Sequence, residues 1–120
     1  MNGGKIKLPI VKNYEPYQGD DFGRSFAIMV NGSLEDISGD TFKMRIEDAV
    51  TKTEFLTIQS GSGIENPSIG RVAWELTKAQ TADFLPGRRY RYDLQWTRST
   101  GKNITIQKGI MTPDGDTTPP

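Results

Sequence analysis

The sequence predicts an all-β protein: an antiparallel β-sandwich of about seven to eight short strands with one short helix. Three observations carry this. Apolar and polar residues alternate with period two in segment after segment. Turn residues punctuate the chain at short, regular spacing, with 13 glycines and 7 prolines in 120 residues. The clearest strand follows a Pro-Gly turn: in Arg88–Thr97, Tyr90, Tyr92, Leu94 and Trp96 fall on one face and Arg89, Arg91, Asp93 and Gln95 on the other.

Residues 1–4 read as a flexible lead, residues 5–112 as the sandwich domain and residues 113–120 as an extended, proline-rich tail. Ile6, Leu8 and Ile10 alternate with Lys5, Lys7 and Pro9, which predicts a short first strand. Pro9 cannot donate to a ladder, so that strand belongs at an edge. A turn-rich connector, Tyr14–Gly23, leads to a strand over Arg24–Val30 with Phe26, Ile28 and Val30 on one face. Asn31-Gly32 is a two-residue hairpin signal.

Leu34 and Ile37 read as apolar plugs in the polar stretch 33–40. Thr41–Glu47 predicts a strand with Phe42, Met44 and Ile46 inward. After a loop at 48–53, Leu56 and Ile58 mark one face of the next strand. Ser60-Gly61-Ser62-Gly63 predicts a flexible turn and Ile64–Ile69 an irregular excursion. Arg71–Thr77 predicts a strand with Val72, Trp74 and Leu76 inward. Thr77-Lys78-Ala79-Gln80 has the form of a capping box opening one or two helical turns, which Pro86 closes. Ser99–Lys102 is a hairpin turn, and Asn103–Met111 the last strand, with Ile104 and Ile106 inward.

Composition narrows the chemistry. Lys and Arg number 15, as do Asp and Glu, so the formal net charge is zero and gives no long-range pull toward nucleic acid or an anionic membrane. There is no cysteine and no histidine, which removes the usual neutral-pH base and the commonest metal ligand. Asp20-Asp21 and Glu47-Asp48 are adjacent in extended chain, so their side chains diverge instead of forming an acid/base pair. Asp114-Gly115-Asp116 has too few oxygens for a calcium loop. Arg88, Arg89, Arg91 and Arg98 form a basic cluster, but Arg89 and Arg91 lie opposite the aromatic face, and Asp93 and Glu75 are placed to neutralise them across strands. The expectation is therefore no enzyme, no cofactor or metal, no nucleic acid and no membrane partner. No apolar run approaches the roughly 20 residues that span a bilayer, and the start of the chain lacks a signal-peptide core; a cytoplasmic protein, or one carried in a particle assembled there, is expected.

Two resemblances refine this. Leu85-Pro86-Gly87 followed by Tyr90 resembles the tyrosine-corner region of immunoglobulin-like and fibronectin type III sandwiches. This implies an immunoglobulin-like sandwich in which Pro86, Gly87 and Tyr90 are structural, the phenol capping backbone groups at a loop corner. The second lies in motif order: Tyr17-Gln18-Gly19-Asp20-Asp21-Phe22, Phe26–Val30, Leu34-Glu35-Asp36-Ile37-Ser38-Gly39, Thr41–Arg45, Gly70-Arg71-Val72-Ala73-Trp74-Glu75-Leu76-Thr77, Gln80-Thr81-Ala82-Asp83-Phe84, Leu85-Pro86-Gly87, Tyr92-Asp93-Leu94 and Lys108-Gly109-Ile110.

Over about residues 14–112 this order resembles small β-sandwich structural modules of tailed bacteriophages, including the N-terminal domain of baseplate upper proteins. It implies a virion structural protein that docks in many copies on head or tail and baseplate subunits and self-associates in the particle. The chain ends in Thr117-Thr118-Pro119-Pro120 where such modules often continue into a fibre, so a stand-alone subunit is expected. Candidate docking residues lie on the two arms: Lys5, Lys7 and Pro9, and Pro113, Asp114, Asp116 and Pro119. The competing expectation is a carbohydrate- or host-receptor-binding module. Burial of Trp74 and Trp96 counts against it, and Tyr14 and Tyr17 remain as candidate exposed rings.

Overall fold

A computed structural model of the chain describes residues 8–115. It is an all-β, sandwich-like fold with one short helix. Ten strands follow in order: β1 (Ile10–Val11), β2 (Phe22–Ala27), β3 (Met29–Val30), β4 (Ser33–Leu34), β5 (Thr41–Asp48), β6 (Glu54–Ser60), β7 (Gly63–Ser68) and β8 (Arg71–Leu76), then α1 (Lys78–Thr81), β9 (Tyr90–Thr97) and β10 (Asn103–Met111).

Eight strands form one curled sheet in the order β1-β10-β9-β5-β6-β7-β8-β2, and β3-β4 form a small second sheet. Most pairings are antiparallel, as expected. Two are parallel: β1 with β10, and a short seam where Gln59 pairs with Gly63 and Ser60 with Ile64. At that seam the chain turns from β6 into β7 and the sheet folds over. The five strands before the seam then face the three after it, and the core fills the space between.

The core is built from the alternating residues. Phe42, Met44 and Ile46 of β5, Tyr90, Tyr92, Leu94 and Trp96 of β9, and Val72, Trp74 and Leu76 of β8 are all buried. Tyr14 bridges the two halves, its ring centroid 5.6 Å from that of Trp74 and 5.8 Å from that of Tyr92. The capping box is present: the Thr77 hydroxyl accepts the Gln80 N–H at 3.2 Å, and the Gln80 side chain accepts the Thr77 N–H at 2.9 Å.

Several elements depart from expectation. The strand foreseen over residues 24–30 breaks at Ile28, where the Ile28 N–H turns to the Gly70 carbonyl. The hairpin at Asn31-Gly32 forms, with φ of 51° and 81° at its two central residues. It carries Val30 and Leu34 outward, so both are exposed instead of packed inside. The excursion at 64–69 is strand β7, irregular between Glu65 and Ser68. The sandwich does not stop at residue 112. Pro113 is buried, and Asp114 is bridged to Tyr17.

Candidate interaction surfaces

The two chain segments expected to act as arms come together as one strap. Ile10 pairs with Gln107, Tyr14 with Met111 and Tyr17 with Asp114, all parallel. The ladder runs through Lys12 N–H to Lys108 C=O, Tyr14 N–H to Ile110 C=O, Thr112 N–H to Tyr14 C=O and Asp114 N–H to Pro16 C=O, each at 2.9 Å. Below it lies a polar network that the sequence reading missed. Buried Gln107 donates to the hydroxyls of Tyr14 (2.8 Å) and Tyr92 (2.9 Å), and the Tyr92 hydroxyl donates to the Lys12 carbonyl at 2.6 Å. Burial raises the Tyr92 pKa above that of a free phenol, so it stays a donor.

This places the candidate docking residues as follows. Pro9 lies half-exposed beside the edge strand β1. Pro113 is a fold residue whose carbonyl accepts the Gly87 N–H at 2.8 Å. Asp114 is exposed, yet its backbone is fixed on both sides by Pro16 and Gln18. Neither Pro113 nor Asp114 belongs to a free tail, because the strap ladder continues through them. Lys5, Lys7, Asp116 and Pro119 lie outside the described residues.

The corner residues occupy structural positions. The Tyr90 hydroxyl accepts the Leu85 N–H at 3.0 Å. Its ring packs against Phe55 and Phe84, which themselves stack at 4.8 Å. Gly87 turns the chain with φ of 79° and joins it to Pro113.

Three of the four clustered arginines are engaged in ion pairs. Arg88 pairs with Asp48, Arg91 with Glu47 at 3.0 Å, and Arg98 with Glu35 and Asp40, each at 3.0 Å. Asp93 and Glu75 are not the partners. Asp93 lies in register between Arg45 and Lys108 without an ion pair to either, and Glu75 stands opposite Gly23 in the other half of the sheet. The Arg88 guanidinium, with the Val50 and Thr51 N–H groups, lowers the Asp48 pKa to about 2. The same contact raises the Arg88 pKa. Asp40 is buried and also accepts the Trp96 indole N–H (2.9 Å) and the Ser99 N–H (2.8 Å). Asp21 accepts the Lys78 N–H at the start of α1 at 2.7 Å. Within the two adjacent carboxylate pairs, Asp21, Glu47 and Asp48 each have their own donor.

Three kinds of surface remain. The outer face of β6-β5-β9-β10 is a shallow polar groove with two recesses of about 550 and 590 Å³ that share Arg45 and Asp93. Lys43, Gln59, Gln95 and Asn103 line one recess; Glu47, Arg91 and Lys108 line the other. The β1 edge exposes Leu8, Ile10 and Val11. The remaining exposed large apolar residues stand at the two ends of the strands: Met29, Val30, Leu34 and Ile69 at one, Tyr17, Val50 and Leu85 at the other. Among the described residues there is no grouping of acidic side chains suited to a metal, and no helix long and apolar enough to cross a membrane. No protein-family model matches the chain, and no curated protein matches it.

Proposed function

We propose that this chain is a non-enzymatic structural protein of a bacteriophage virion, docking in multiple copies on head or tail and baseplate subunits. The phage assignment rests on the order of turn and core motifs described above. The docking role rests on one observation: exposed large apolar side chains stand at the two ends and the β1 edge, while Arg88, Arg91 and Arg98 of the basic cluster are held by Asp48, Glu47, Glu35 and Asp40. Apolar exposure of this kind marks contact surfaces. The proposed partners are other virion proteins and further copies of this chain, in a particle assembled in the host cytoplasm. The docking contacts are assigned to the ends and the β1 edge, in place of Pro113 and Asp114. Cryo-electron microscopy of purified particles tests this. Density for the fold at a repeated, symmetric position is expected, and absence of the chain from the particle refutes it.

The polar groove favours one second reading, a module that binds carbohydrate or a host receptor. Amide side chains such as Gln59, Gln95 and Asn103 match sugar hydroxyls, and the groove lies within the size range of ligand sites. Trp74 and Trp96 are buried, however, and offer no stacking platform there. A glycan array with the purified protein separates the two readings: saturable binding to a defined glycan supports the second.

A further inference from the structure

The eight-stranded sheet ends in two strands of different character, β1 and β2. β1 is two residues long and follows Pro9. β2 is six residues long and pairs only with β8, in unbroken register. The Ile28 N–H bonds to the Gly70 carbonyl at 2.7 Å, and this sets the alternation along β2. Phe22, Arg24 and Phe26 turn their backbone groups to β8, and Gly23, Ser25 and Ala27 turn theirs to the open side. The Gly23 carbonyl agrees with this: it accepts from the Arg24 guanidinium at 2.7 Å. Among the described residues, no other partner bonds to the outward N–H and C=O groups of these three residues.

The edge is also accessible. Ser25 and Ala27 are exposed, and the three outward-turned residues are all small. β2 has no proline, lysine or bulge to guard it. Its one charge, Arg24, is folded back with the guanidinium 4.4 Å from the Phe22 ring centroid and 5.4 Å from that of Tyr14.

We propose that β2 pairs with β2 of a second copy, antiparallel and centred on Ser25, to give a two-fold dimer. The pairing rests on the multi-copy reading above for its partner and adds the contact itself. A row of outward backbone donors and acceptors is matched by an extended strand, and the residues on this edge select their own copy. Centred on Ser25, Ser25 meets Ser25 and Gly23 meets Ala27 of the second copy, so every outward N–H gains a carbonyl. Any other centre leaves one of the three residues unpaired. The same register sets Arg24 opposite Phe26 of the second copy, a cation against a ring. A centre at Arg24 would instead bring two arginines face to face. On pairing, the guanidinium yields the Gly23 carbonyl to the incoming Ala27 N–H and keeps its place over the rings. The contact is isologous, so it closes at two copies.

The test is sedimentation equilibrium on the full chain up to millimolar concentration, joined to residue-resolved amide hydrogen exchange by NMR. The mass is expected to rise from 13.4 kDa to twice that value and stop. The N–H groups of Gly23, Ser25 and Ala27 are expected to exchange roughly tenfold more slowly once about nine-tenths of the chain is paired. Those of Phe22, Arg24 and Phe26 are expected to be protected at every concentration. A chain that stays monomeric at millimolar concentration overturns the proposal. So does growth beyond a dimer, or a dimer in which the three outward amides still exchange freely. A second arm uses the absence of cysteine from the sequence. Hydrogen-bonded antiparallel partners stand about 5.5 Å apart at Cα, within reach of a disulfide. Ser25→Cys is therefore expected to oxidise to a covalent dimer faster than Thr100→Cys, which lies exposed in the β9–β10 turn. Equal rates refute the register. No particle enters either arm, so their failure is distinct from failure to find the chain in virions.

Discussion

Gly109 shows how one missing side chain permits a whole contact. A methyl group there would overlap the Lys12 carbonyl oxygen, so the strap lies directly on bare backbone. Gly109→Ala is expected to destabilise the fold by about 1–3 kcal/mol through forced displacement of the strap. Urea denaturation measures it, and an unchanged midpoint would contradict the role. Tyr90→Phe keeps the packing against Phe55 and Phe84 but strands the Leu85 N–H, at an expected cost of about 1–3 kcal/mol.

Asp48 gives a pH dependence. Its folded pKa of about 2 lies below the ordinary value of 3.8, so its contribution is fully present above about pH 4 and is lost as pH falls toward 2. In melts across that window, wild type is expected to exceed Asp48→Asn at neutral pH, and the gap is expected to shrink toward pH 2. Sequence reading found Tyr90 because Pro-Gly and a following ring have a known corner geometry. It missed the Asp48–Arg88 pair because the two are 40 positions apart and meet only where β5 ends beside the turn before β9.

At the scale of elements, alternation was readable wherever a strand is regular. β5, β8 and β9 bury the residues their patterns assign. It failed at bulges, because one extra residue inverts the parity of everything beyond it. The irregularity between Ile46 and Glu47, opposite β6, lets Phe55 turn toward Phe84 and Tyr90, although a strict two-residue count from Leu56 and Ile58 sends it outward. The shift between Thr105 and Gln107 likewise brings polar Gln107 into the interior beneath the strap. Polar residues become core where phenol hydroxyls await a donor, and hydropathy carries no such signal. The helix was readable because its cap is local. Thr77→Ala removes that cap and is expected to cost about 1 kcal/mol, visible as a lowered melting temperature with the β-sheet circular dichroism unchanged.

For the whole molecule, the distribution of apolar exposure could not be read from pattern. Val30 and Leu34 continue apolar alternations in sequence, and only the break at Ile28 and the hairpin beyond it carry them outside. The β1 edge is blunted: β1 is two residues long and follows Pro9, which has no N–H to offer a neighbour. Uncontrolled strand addition is thus limited on that side, and the ends remain the larger apolar surfaces.

The parallel strap has a consequence for synthesis. The β pairings of residues 10–17 are with residues 107–114, about as far along the chain as any contact in the fold. Closing so long a loop costs entropy before any pairing offsets it, and contacts of such sequence separation slow folding. On the ribosome, β9 therefore waits with an open edge and Tyr92 without its Gln107 donor until β10 emerges. A nascent chain stalled after Lys102 is expected to remain protease-sensitive throughout, and one released past Asp114 to become resistant in a single step.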